Sequence, residues 1–527
     1  MMSNEATAAA KLGSKIPTLS LPIEEHPELI FGLVGPIGVD LESVTECLSN
    51  ALTEVGYDSK TIRITELMKE VGLGLPLDAA GYIDSYRQRI DYANKVREVL
   101  KRNDALAILA ISAIREFRLE ATGNIDEPKP KQAYIIRQFK RPEEVKLLRS
   151  VYGRQFIQIS AYAPTSYRKR RIATKERQSK RNLISLVDAE NAANSLVKQD
   201  EMEQDHGFGQ NVRDAFPFGD LFIEAPDKKS CKETVTRFVT ALFGDNEASP
   251  THDEYGMYLA KSASLRSSAL TRQVGAAIFR HSGEVISLGC NEVPKAGGGT
   301  YGSGDPSDMR DFVGGRDPND EKKTEVLVDL VDRLMKRKQL SPQLVGNEDA
   351  ASVAAKLLLD DSKDGVRDSK VMDLIEFGRD IHAEMSAITD AARKGVPIEG
   401  ATLYSTTFPC HLCAKHIVAA GVKRVVYIEP YPKSYAEDLH SDSIELDAPS
   451  DSKRVNFQRF IGISPYRYRD LFEKGKRKYQ TGEARKWSRG EGQPMLEIIY
   501  PTYFKAETFV VDLLSGALNG LTAATGR

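Results

Sequence analysis

The chain has 527 residues, with 73 Lys and Arg against 75 Asp and Glu, a net charge of −2 at pH 7, and 41% hydrophobic residues. That length suits roughly two to four domains, and the near-zero charge excludes a global basic field, so any contact with nucleic acid must come from a local patch. Five Cys are too few and too unevenly placed for a disulfide framework, and no apolar run is long enough to span a bilayer, so the expected setting is a reducing, cytoplasmic compartment without a membrane.

Residues 1–26 are rich in Ala, Ser and Pro, lack a secretory apolar core, and read as a flexible lead-in. The first strand is expected at Leu29–Val34. It runs into Gly35, Pro36, Ile37, Gly38, Val39 and Asp40, then into a helix with apolar residues at Leu41, Val44, Leu48 and Leu52. Strand, glycine turn and helix form the setting of a phosphate-binding loop, where backbone N–H groups cradle anions. Here Val39 stands where the phosphate-gripping Lys belongs, and Asp40 stands where the metal-binding Ser or Thr belongs. Two readings follow for Gly35–Asp40: a nucleotide-binding relic, or a purely structural turn.

Alternating strands and helices continue. A short strand is expected at Thr61–Thr65, a charged helix at Ile83–Lys101, an apolar run of strand or helix type at Ala105–Ile111, and β-rich runs at Ala133–Ile136 and Phe156–Ser160 around a helix at Pro142–Ser150. This order implies a doubly wound α/β domain over residues 27–230. It loosely resembles the P-loop nucleotide kinases. Arg168, Lys169, Arg170, Arg171, Lys175, Arg177, Lys180 and Arg181 are opposed only by Glu176. They would grip phosphates as a lid, bind nucleic-acid phosphates, or form a solvated helix face. Residues 183–235 read as a connection.

A second domain is expected over residues 231–527. A helix at Asp253–Ser268 precedes a hairpin, Val274–Phe279 with Val285–Gly289, which delivers Asn291 just past its end. Residues of about 294–376 then form an insertion, loop-like at first and helical at Val326–Leu340 and Asp349–Leu359; a surface addition, a lid and an oligomer contact are its alternative readings. A helix at Ile381–Lys394 carries His382 and Glu384 in its first turn. After a strand at Thr402–Ser405, Pro409 opens a helix whose N-terminus carries Cys410 and Cys413, and Arg424–Glu429 is the next strand. One His and two Cys are ligands suited to a catalytic zinc that keeps a fourth position open. A helix N-terminus favours the thiolate that binds metal. His411 and His416 are expected to have structural polar roles. Aromatic residues from Phe457 to Phe472 either cap a base pocket or pack the core, and Glu497–Tyr500 and Thr508–Leu514 are candidate edge strands.

His382-Ala383-Glu384 with Pro409-Cys410-His411-Leu412-Cys413 fits the H-x-E…P-C-x-x-C signature of zinc nucleobase deaminases. Together with Arg266-Ser267, Arg272–Ala276, Gly289-Cys290-Asn291, Tyr404–Cys413 and Ala420–Tyr427, it resembles the deoxycytidylate deaminase family over most of residues 253–435. The resemblance implies a three-layer α/β/α deaminase domain, a Zn2+ on His382, Cys410 and Cys413, and Glu384 as the proton carrier. It also implies that Asn291 and Ala383 touch the substrate and that Arg266 and Arg272 face its phosphates. A degenerate P-loop kinase-like domain ahead of such a domain resembles the bacterial anti-phage dCTP deaminases. That resemblance implies conversion of dCTP to dUTP, often with dCMP to dUMP, restraint until infection (in some members by a regulatory RNA), and a homo-oligomer. The alternatives are a nucleic-acid deaminase acting on tRNA adenosine or cytosine, and a housekeeping dCMP deaminase.

Overall fold

The computed structural model describes residues 25–201, 203, 207–360, 365–447, 453–474, 477–488, 490, 492–496 and 503–525. The described residues form two compact units. One comprises Met1–Phe218, Ala225–Ala248 and Lys474–Arg527; the other comprises Gly219–Glu224 and Ser249–Glu473. This division differs from the expected boundary at residue 231, because helix Lys228–Leu242 and the described residues after Lys474 fold with the N-terminal unit.

In the first unit, β1 (Leu29–Val34) is buried along its whole length and lies between two parallel partners. The order is β4-β1-β3-β2, with β2 at Asp58–Arg63, β3 at Gln132–Phe139 and β4 at Phe156–Tyr162. Strands covered on both faces read as continuous apolar runs, and β1 does. Helix α1 (Leu41–Glu54) follows the glycine turn and buries Leu41, Val44, Leu48 and Leu52, a helical spacing. Ala105–Ile111 resolves as the start of helix Ala105–Thr122. The expected connection at 183–235 is largely ordered structure. It holds a helix at Leu186–Glu201 and strand Leu221–Glu224, and helix Lys228–Leu242 begins within it.

Thr508–Leu514 is not an edge strand but part of helix Tyr503–Thr525. Tyr503, Phe504, Glu507, Val510 and Leu514 are buried at three- and four-residue spacing, so the helical period overrides the β-branched composition. Glu497–Tyr500 lies outside the described residues. Glu507 holds this helix down: with Glu28 it accepts hydrogen bonds from the fully buried Arg118 guanidinium, and Tyr152 donates to Glu507 while Tyr503 donates to Glu28.

The second unit is built on a six-stranded sheet. Helix α2 (His252–Ser264) precedes the hairpin of β5 (Gly275–Phe279) and β6 (Val285–Cys290). After the insertion come α3 (Ala383–Arg393), β7 (Thr402–Thr407), α4 (His411–Ala419), β8 (Arg424–Glu429), β9 (Ile444–Leu446) and β10 (Val455–Arg459). The sheet order is β9-β10-β8-β7-β5-β6. β5 pairs antiparallel with β6 and β7, and the remaining pairs are parallel.

Two glycines let helices settle on this sheet. A Cβ on Gly275 would stand 1.9 Å from the Ala260 carbonyl oxygen of α2, and one on Gly289 would stand 2.1 Å from the Ala383 carbonyl oxygen at the start of α3. Phe457 is fully buried in the core cluster, and Phe408 packs against that cluster and against the Phe457 ring, so this aromatic serves as core. Among the described residues no helix is long and apolar enough to cross a membrane.

Candidate active site

Two helix starts and the strand between them place the chemistry. His382 is the N-cap of α3, so Ala383 and Glu384 form its first turn. Cys410 is the N-cap of α4, and its sulfur accepts a hydrogen bond from the Cys413 N–H at 3.4 Å. His382 Nδ1 lies 3.2 Å from Cys410 Sγ and 3.4 Å from Cys413 Sγ. One donor atom from each of the three residues lies within 4.8 Å of the others, and among the described residues this His-Cys-Cys group is the one that can hold a metal ion.

The donor set fits zinc, which takes imidazole and thiolate together. The Cys410 thiol is pushed down to about 4 by hydrogen bonds from Cys413 and, against burial, from His382. His382 is raised to about 9: burial opposes its charge, and the Cys410 contact outweighs it. A thiolate beside an imidazolium is the charge arrangement that a metal replaces when it binds and releases the ring proton. His411 and His416 stand aside from the group. The His411 ring lies against Tyr435, and the His416 ring meets the Leu412 carbonyl.

Glu384 is 4% exposed, and Ser405 Oγ on β7 donates to its Oε1 at 3.0 Å. Burial first, and the Cys410 charge second, hold this carboxyl above its ordinary range. It opens on a cavity of about 370 Å³ whose lining includes His382, Ala383, Glu384, Cys410, Asn291 and Arg272, a size suited to a small molecule. Asn291 uses its amide on the backbone: Oδ1 accepts from the Val274 N–H at 2.7 Å and Nδ2 donates to the Arg272 carbonyl at 2.8 Å. It therefore shapes the Arg272–Val274 wall. The Arg272 guanidinium lies over the Tyr431 ring, 5.0 Å from its centre. Arg266 does not line the cavity; it follows the end of α2 and is exposed.

Several lining residues escaped the sequence reading. Asp311, Asp317, Asn319 and Ile375 come from the insertion, which is thereby a wall of the cavity. Lys433 also lines it and pairs with Asp373 of the insertion. Their one sequence signal is position: Tyr431 and Lys433 follow the C-terminal end of β8, where ligands gather in such sheets. Glu292 is 2% exposed and accepts from Ser268 N, Ser268 Oγ and Val293 N, each at 2.8–2.9 Å.

Gly35–Asp40 lies in the other unit, between β1 and α1. Asp40 caps α1, accepting from Ser43 Oγ at 3.1 Å, and pairs with Arg171 at 3.2 Å. Gly38 has a φ of +90°.

Residues 250–429 match the cytidine and deoxycytidylate deaminase zinc-binding region.

The sites of the His-Cys-Cys group and Glu384 fall inside that match. The chain is 54% identical over 86 residues to the deoxycytidylate deaminase of Enterobacteria phage T2, covering 16% of this chain and 46% of that protein. It is 43% identical over 76 residues to ComE operon protein 2 of Bacillus subtilis (strain 168), 13% of this chain and 40% of that one. It is 32% identical over 83 residues to the human deoxycytidylate deaminase, 15% and 41%. The chain thus spans less than half the length of each of these relatives.

Proposed function

We propose that this chain is a hydrolase that replaces the C4 amine of deoxycytidine nucleotides by oxygen, releasing ammonia, with both dCTP and dCMP as substrates. The observation that carries this reading is Glu384, buried and cavity-facing beside the His382, Cys410 and Cys413 group. Zinc, when held there, supplies the Lewis acidity that makes water a nucleophile near neutral pH. The remaining work belongs to side chains. Glu384, whose burial makes its carboxylate the stronger base, carries one proton from the attacking water to N3 of the ring and then the remaining hydroxyl proton to the amine, which departs as ammonia. Ser405 orients its carboxyl through Oε1. Arg272 and Lys433 are the Arg and Lys side chains that line the cavity, so the nucleotide phosphates belong at their end.

The resemblance of the two-part layout to the anti-phage dCTP deaminases extends the reading: depletion of dCTP during infection, restraint beforehand, with RNA as the restraining partner in some members, and a homo-oligomeric assembly. Zinc-loaded protein should release ammonia from dCTP or dCMP, and Glu384→Ala should keep its zinc and release none. Turnover of oligonucleotides but not of monomers would replace this reading with that of a nucleic-acid editor. Nucleotide pools in cells with and without phage, compared between wild type and Glu384→Ala, test the defence role.

A further inference from the structure

Cysteine is scarce in this chain, five in 527 residues, and the fold gathers four of the five into pairs. Cys410 and Cys413 belong to the metal-ligand group. The other pair lies in the first unit, far apart in sequence: Cys47 on α1 and Cys231 on helix Lys228–Leu242.

These two helices pack side by side and run the same way. At one end their N-caps, Asp40 and Asp227, both act on the Cys231 thiol. At the other end Tyr57, just past α1, meets Phe243, the C-cap of the second helix, edge to face with ring centres 5.0 Å apart. Cys231 stands on the buried stripe with Val235, Phe238, Val239 and Leu242 and is 1% exposed. Cys47 stands at the edge of the buried stripe of α1, between Val44 and Ala51, and is half-buried. The Cys231 thiol donates a hydrogen bond to the Cys47 sulfur. Sulfurs in that contact need only a small side-chain turn to close a bond of about 2.05 Å.

We propose that Cys47 and Cys231 form a reversible disulfide when the protein meets hydrogen peroxide, and that this bond clamps α1 to helix Lys228–Leu242.

Cys47 is the sulfur that solvent reaches, so it attacks first. Its sulfur bonds to one peroxide oxygen, the O–O bond breaks, and the second oxygen leaves as water, giving a sulfenic acid. The Cys231 sulfur then displaces the hydroxyl from Cys47. The S–S bond forms as the S–O bond breaks, and the Cys231 proton departs with the hydroxyl as a second water. Two thiols lose two electrons and two protons, and the peroxide takes both. Burial, and then the Cys47 sulfur beside it, push the Cys231 thiol up to about 12, so the inner partner stays a thiol until a sulfenic acid stands next to it. A pair kept merely as small apolar filler would be buried at both positions, and Cys47 is not. Excess small thiol reverses the bond by exchange.

The test treats full-length, zinc-loaded protein with hydrogen peroxide, blocks the remaining thiols with an alkylating agent, and maps the cysteines by peptide mass. The expected product is a peptide pair joined through Cys47 and Cys231, lighter by two hydrogen atoms than its reduced parts and separated by dithiothreitol. Amide exchange along α1 and helix Lys228–Leu242 should slow at least roughly threefold on oxidation and recover on reduction. Cys47→Ser should abolish both the joined pair and the slowing; Cys231→Ala gives the same reading should Cys47→Ser fail to fold. The proposal is overturned by Cys47 carried on to the sulfinic or sulfonic acid with no joined pair, by either cysteine joined to a different one instead, or by a joined pair that leaves exchange along the two helices unchanged.

Discussion

Single atoms decide whether the metal ligands meet. The Ala383 carbonyl and the Ala387 N–H would lie 2.1 and 2.5 Å from a Cβ on Gly289, so α3 sits where only a glycine lets it. Gly289→Ala should push α3 off the sheet at a cost of about 1–3 kcal/mol. It should lower zinc content by elemental analysis although no ligand has changed. Glu384→Gln keeps the shape but carries no transferable acid proton; turnover should fall about 10²- to 10⁴-fold with zinc retained.

A third residue-scale expectation concerns Asp253, which accepts a forked pair of hydrogen bonds from Arg424 at 2.6 and 2.7 Å and a third from Tyr404. Burial raises this carboxyl, but Arg424 and Tyr404 overcome it and leave the value below the ordinary 3.8. With a depressed folded value, the stabilisation is complete above the ordinary range and is lost as pH falls through the folded value. Asp253→Asn should therefore cost on the order of 1–2 kcal/mol at neutral pH. Its melting temperature should fall less than that of wild type between neutral pH and about pH 3.

The elements show what was legible in the chain and what was not. His382, Glu384, Cys410 and Cys413 could be placed in advance because each sits at a helix start marked by local signals, the Pro409 break among them. The insertion gave no such signal. Its contact with the site depends on Asn319, whose Nδ2 donates to the Leu374 carbonyl at 3.0 Å and whose Oδ1 accepts from Phe377 N at 3.3 Å. Pairings across more than fifty residues leave no periodic trace. Asn319→Ala should loosen that wall and raise KM for the proposed substrate with little change in kcat, as steady-state kinetics would show. The misread stretch Thr508–Leu514 shows the opposite failure. Val510 and Val511 suggest a strand, but the buried Glu507 belongs to the same face as Phe504 and Leu514 only on a helix. Arg118→Met should leave Glu28 and Glu507 as buried, uncompensated carboxylates, costing about 3–5 kcal/mol in denaturant unfolding.

Across the whole molecule, each of the two units carries its own cluster of charged side chains. In one, Arg272 and Lys433 line a cavity beside the metal-ligand group together with Asp311, Asp317 and Asp380; in the other, Lys140 and Arg168 are paired with Asp200 and Glu201. Cys410 and Cys413 are buried and His382 is half-buried, so removing the ion leaves three donors crowded together with little water to replace it. Chelation should therefore lower the melting temperature as well as abolish turnover, and added zinc should restore both.

The insertion leaves and rejoins the deaminase-like unit through one antiparallel bridge, Glu292 with Ile381, closed by hydrogen bonds in both directions at 3.4 and 3.1 Å. That clasp lies one residue from His382 and one from Asn291. The entropy of closing a loop grows only logarithmically with its length, each doubling costing about 0.6 kcal/mol. A segment fastened at its neck in this way is free to lengthen, shorten or be exchanged over generations while the ligand frame beyond the clasp stays still. Substrate choice and catalytic chemistry can then change separately, the first by replacing the wall and the second by disturbing α3, β7 or α4.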